Sequence, residues 1–114
     1  MIEATYKLSE EQLKVIEKFN KKIEKEFKKY TKILENSSAE EIFKMSFKTT
    51  FIILLRNYLL AEDGLTYSQI EQLMQEDDIL NRCYKIFIKR ANDKYYKLDY
   101  EMEINEILDV VFEE

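Results

Sequence analysis

The chain carries no histidine and a single cysteine. That removes the commonest general base and the paired ligands of most metal centres. The remaining reactive groups are carboxylates, tyrosines and lysines. Cys83 falls on an apolar helical stripe with no histidine to activate it, so it reads as a core cysteine, not a nucleophile. Glu62, Asp63, Glu76, Asp77 and Asp78 could gather a hard cation. They lack the D-x-D-x-D-G order with a trailing glutamate that shapes a calcium loop, and read instead as helix-flanking acids. With one glycine, neither G-x-x-x-x-G-K nor G-x-G-x-x-G can occur, so a glycine cradle for phosphate is excluded. The expectation is a non-enzymatic chain with no metal and no cofactor.

Charge is the chemistry that is left, and lysine dominates it. Lys14, Lys18, Lys21, Lys22, Lys25, Lys28, Lys29 and Lys32 fall on one side when wound at helical pitch. Leu13, Ile16, Phe19, Ile23, Phe27, Tyr30 and Leu34 fall on the other. Lysine stripes are usually solvated faces. The functional reading assigns Lys14, Lys18, Lys21, Lys25, Lys28 and Lys32 to a partner-binding face. The stripe has no arginine for bidentate base contacts and no interleaved aromatic residue for stacking, so direct nucleic-acid binding is not expected. Membrane binding is not expected either, because the opposite face is needed for the core. An acidic protein surface fits best.

The net charge of −5 is unevenly placed: residues 1–48 sum to +2 and residues 49–114 to −7. Asp99 to Glu114 holds seven acids and no base. Asp99, Glu101, Glu103, Glu106 and Asp109 form a second candidate partner-binding surface. They are also the nearest candidate counterpart of the lysine face, within the chain or in a twin subunit. A homodimer is expected on that ground, and because the first helix is longer than a core this size can flank. An alternative gives the acidic stretch the role of a phosphate mimic that inhibits a nuclease, as anti-CRISPR-like proteins do. A second alternative is a DNA-binding helix-turn-helix over Thr66 to Arg90, presenting Asn81, Arg82, Lys85 and Lys89. Glu71 occupies the place where a small residue lets such helices cross, and three acids in the turn would repel phosphate.

These side chains must be positioned by helices. The chain has no proline and one glycine, so little interrupts a helix or closes a tight hairpin. Ser9 and Gln12 form a capping box, and apolar residues recur at spacings of three and four to Leu34. That predicts a helix over about 10–35. Ser38 and Glu41 open a second helix carrying Ile42, Phe43, Phe47, Phe51, Leu54, Leu55, Tyr58 and Leu59. Its later half, FIILLRNYLL, is apolar almost all round, which marks the central element. Gly64 is expected to end it in the left-handed C-cap conformation. Thr66 and Gln69 start a short third helix. The fourth carries Leu80, Cys83, Tyr84, Phe87, Ile88, Ala91, Tyr95 and Leu98 on one stripe. Its stripe loses phase with Ile104, Ile107, Leu108 and Val111, so the chain must bend or restart near 99–103. A rival reading uses the alternation of Ile2, Ala4, Tyr6 and Leu8, and of Tyr96, Leu98, Tyr100, Met102 and Ile104, to pair 2–8 with 96–104 as a two-stranded ribbon.

The succession "FNKKIEKEFKKYTKIL", "SSAEEIFKMS", "LTYSQIEQLM" and "YKIFIKRANDKYYKL" resembles a small helical domain family of low-GC Gram-positive bacteria and their mobile elements. That family has no assigned activity. The resemblance covers about residues 17–108 and departs at Ser38-Ala39, where the family has a proline-containing turn. It implies a helical fold and no particular site residues.

The expected fold is an all-α, single-domain bundle of four to five helices over residues 1–114, with the terminal ribbon as an open addition. No secretory leader is expected, since the first residues carry Glu3 and no long apolar run. No run approaches a membrane span. A cytoplasmic accessory protein of a phage or mobile element, binding and blocking a protein partner, is the expected role.

Overall fold

The computed structural model describes the backbone of residues 8–61, 64–92 and 100–113. These hold six helices: α1 Glu10–Glu35, α2 Ala39–Lys44, α3 Ser46–Leu60, α4 Tyr67–Leu73, α5 Ile79–Asn92 and α6 Tyr100–Glu113. Among the described residues there is no strand. The ribbon expectation lies partly outside them. Its described part, Tyr100 to Ile104, is the start of α6, so those residues follow helical and not strand geometry. No described helix is long and apolar enough to cross a membrane.

Three helix starts follow from local chemistry. The Ser9, Ser38 and Thr66 side chains accept from the amides of Gln12, Glu41 and Gln69, whose own side chains accept from the cap amides. Each box satisfies two of the amides that a helix start leaves without partners. At α5 two acids share the task. Asp78 Oδ1 accepts from the Asn81 amide at 3.2 Å, and Glu26, reaching across from α1, accepts from the Leu80 amide at 2.9 Å.

The expected second helix is two. It breaks at Met45, whose φ of −91° and ψ of 1° lie in the sparsely populated bridge region. This break is why six helices appear instead of four or five. Past it, α3 packs against α1, α2, α5 and α6, the central place expected of its apolar run. Phe51 and Leu55 are fully buried, with Ile52 and Leu59 almost so. Phe51 stacks on Phe87 of α5 with centroids 4.2 Å apart. From α1 come Phe19, Ile23 and Tyr30, and from α6 Ile104, Ile107, Leu108 and Val111. Burying such side chains contributes roughly 1.5–3 kcal/mol each. The tyrosine hydroxyl of Tyr30 is satisfied by Thr49 Oγ1 at 2.7 Å.

Gly64 departs from its expected role. No described residue has a positive φ, and α3 ends on an extended Ala61, φ −67° and ψ 138°. Space is what calls for glycine: a Cβ at this position would lie 2.5 Å from the Tyr58 carbonyl oxygen.

Candidate functional site

Helix α1, about 39 Å long at 1.5 Å per residue, places its apolar stripe on the core and its lysines outside, except that Leu13, expected on the inner stripe, is 52% exposed near the start of the helix. Lys14, Lys18, Lys21, Lys25, Lys28 and Lys32 are all exposed. Lys18 to Lys32 line one side of an open trough of about 680 Å³, whose far wall holds Asp77 and Asp78 of the turn between α4 and α5. A second hollow, about 400 Å³, lies along the other flank beside Glu17, Asn20 and Glu24. Lys21, Lys25 and Lys28 border both, so the lysine row stands as a ridge between two rims that carry acids.

Lysine 22 belongs to the architecture of the trough. Its Nζ donates to the Asp77 carbonyl oxygen at 2.9 Å and lies 3.4 Å from Glu26 Oε2. It thereby ties the α4–α5 turn to α1. Burial raises the Glu26 carboxyl above its ordinary range; the Leu80 and Ile79 amides and the Lys22 charge pull the other way. Lys21 pairs with Glu17 at 3.1 Å, both largely exposed, a contact of little strength in solvent. Lys14, Lys18, Lys25, Lys28, Lys29 and Lys32 have no carboxylate within 4 Å among the described residues.

The arginines behave differently. Arg56 holds Glu24 with two hydrogen bonds of 2.6 and 2.8 Å, and this contact lowers the Glu24 carboxyl below its usual range. Arg82 meets Glu76 at 2.9 Å. Arg90 meets Glu103 at 2.7 Å and also holds Glu106. All three arginines of the chain are thus committed to internal carboxylates, while the exposed lysine row is not.

The acidic segment is split by the same geometry. Glu103 is 3% exposed and engaged by Arg90 across the α5–α6 contact. Glu106 shares that guanidinium, and Asp109 is exposed. Asp99 lies outside the described residues, as does the side chain of Glu101. Glu103 therefore joins two helices and offers no surface to a partner. The acids beside the lysine row are Asp77 and Asp78 on one rim and Glu17 and Glu24 on the other.

Cys83 is 1% exposed, and burial pushes its thiol up to about 12, far from a reactive thiolate. Helices α4 and α5 both pack on α1. Among the described residues no group of three candidate ligands stands close enough to hold a metal ion.

One surface was not foreseen from sequence. Helix α2 has no buried residue, and Phe43 is 79% exposed, with Ile42 and Phe47 also outside. Periodicity placed all three on the inner stripe because it ran through Met45 without a break. Phe47 stacks on Phe87 with ring centroids 5.2 Å apart.

Comparison with protein-family models, curated proteins and solved structures finds no match to this chain.

Proposed function

We propose that this chain is a non-enzymatic protein-interaction module whose α1 lysine face receives an acidic surface of another protein. One observation carries the reading: the three arginines are paired internally, whereas Lys18, Lys25, Lys28, Lys29 and Lys32 are exposed with no carboxylate partner among the described residues. A row of like charge along one helix repels itself, and an acidic partner relieves that repulsion. We take the partner to be a different protein, because Arg90 already engages Glu103 and Glu106, two of the acids that a twin copy would offer from α6. Those two pairs also weaken the phosphate-mimic alternative.

In a phage or mobile-element setting, which rests on the motif resemblance, such a module acts as an accessory protein that occupies and blocks its partner. The test is affinity capture from the native host with the wild-type chain and with Lys18→Glu, Lys25→Glu and Lys32→Glu combined. A captured protein that is lost in the triple variant, and released by about 0.5 M salt as screening shortens, supports the proposal. Capture that ignores both changes sinks it.

A further inference from the structure

We propose that the lysine row is a docking rail for a single acidic amphipathic helix, with glutamates or aspartates along its seam and basic residues on its flanks. This rests on the reading of α1 as the partner-binding face and specifies the partner's chemistry. Lys14, Lys18, Lys21, Lys25, Lys28 and Lys32 recur at intervals of four, three, four, three and four residues. On a helix that alternation forms one zigzag seam, with about 5.4 Å of rise per lysine and about 27 Å in all. A second helix with acids at the same alternation has the same rise, so each lysine meets one carboxylate in register. This is the logic by which charged positions select partners in paired helices.

The rims narrow the choice further. Asp77 and Asp78 stand on one side of the ridge, and Glu17 and Glu24 on the other. A helix is about 10–12 Å across, so its seam can sit on the lysines while basic flanking residues face both rims. Duplex DNA carries a charge per about 1.7 Å of axis, spread over strands that part across a groove about 12 Å wide. Its phosphates would meet the acidic rims as well as the lysines. Leu13 and Ile33, 52% and 50% exposed, flank the two ends of the row in sequence. They supply apolar contact where charge alone gives steering and register more than affinity.

The test titrates the full chain with synthetic helical peptides of roughly 20 residues, enough to span the row. One carries glutamates on a four-three seam with lysine flanks, and a second has the same composition with the glutamates scattered around the helix. Duplex DNA and polyphosphate are the remaining probes. The seam peptide is expected to bind at least about tenfold tighter than the scattered one, and tighter than either polyanion. Combined Lys18→Glu, Lys25→Glu and Lys32→Glu should erase that advantage with the far-UV spectrum unchanged. If charge reversal impairs folding, the same three positions changed to Gln give the readout.

Equal binding of the two peptides, or tighter binding of DNA or polyphosphate, overturns the helix rail. So does a charge-dependent self-association detected by sedimentation, which would make a second copy the occupant. A native partner still lost on charge reversal, with no discrimination between peptides, would sink the rail and leave the acidic-surface reading standing. Host capture indifferent to reversal would remove both.

Discussion

Single atoms decide the behaviour of Gly64 and Glu26. At Gly64 a Cβ would stand 2.5 Å from a backbone oxygen, closer than any relaxed contact. Gly64→Ala is therefore expected to destabilise by roughly 1–3 kcal/mol through overpacking, as measured by urea unfolding. A variant equal to wild type would show that the Tyr58 carbonyl moves aside at no cost. The left-handed C-cap that the sequence suggests for this residue is not what requires glycine, since its φ is not positive. At Glu26 the carboxyl is held above its ordinary value of 4.5 by burial, only partly offset by two amides and Lys22. A raised carboxyl contributes stability below its unfolded value, and that contribution is lost as pH rises through the folded one. Wild type should accordingly lose stability relative to Glu26→Gln on going from about pH 4.5 upward. A pH-independent difference between the two chains would show that the amides at the start of α5 and Lys22 fully offset burial.

At the level of helices, the break at Met45 separates residues that look equivalent in sequence. Phe51 and Leu55 are fully buried, and Phe43 is 79% exposed. Phe51→Ala and Leu55→Ala should each cost about 2–5 kcal/mol through lost burial and a residual cavity. Phe43→Ala should stay within about 0.5 kcal/mol. Denaturant midpoints for the three variants test this contrast directly, and a large loss at Phe43 would place α2 inside the cooperative core. The α5–α6 junction hangs on Arg90, which neutralises the buried Glu103. Arg90→Met removes that guanidinium from a buried carboxylate and should cost about 3 kcal/mol, the lower end for a pair with one partner partly solvated. Adding Glu103→Leu should restore much of the loss, because an apolar pair of similar volume replaces the ion pair without its desolvation cost. A double variant as unstable as the single one would mean that packing, and not the lost ion pair, sets the penalty.

Across the whole molecule, Cys83 serves as a built-in reporter. It is 1% exposed, with a thiol pushed up to about 12, amid residues drawn from α1, α3, α4, α5 and α6. A thiol reagent near neutral pH should react only through opening of the entire core. The free energy of opening obtained from labelling should match that from urea unfolding. Faster labelling would reveal a local opening of α5 independent of the rest. The molecule is longer than it is wide, 49 × 32 × 25 Å, as a 26-residue helix imposes. That length lets the lysine row run unbroken along one edge.

Helix starts, the inner stripe of α1 and the central role of the FIILL segment were legible because each depends on residues within a turn or two. A capping box needs three intervening bonds, and an amphipathic stripe needs only the helical period. The loss of phase before Ile104 asked for a bend or restart near 99–103, but α6 runs unbroken from Tyr100 to Glu113, so among the described residues no break falls there. The lysine row was legible as a face for the same local reason. Which charges are already spent was not. Arg90 with Glu103, Arg56 with Glu24, and Glu26 with the start of α5 are pairings between helices distant in the chain. Composition and spacing say nothing about such partners. The acidic stretch therefore read as a uniform surface until tertiary packing buried Glu103, and Phe43 read as core until the break at Met45 left it outside. Local rules determined the helices and their amphipathic faces; the folded chain alone decided which charges neutralise one another and which stay exposed to solvent.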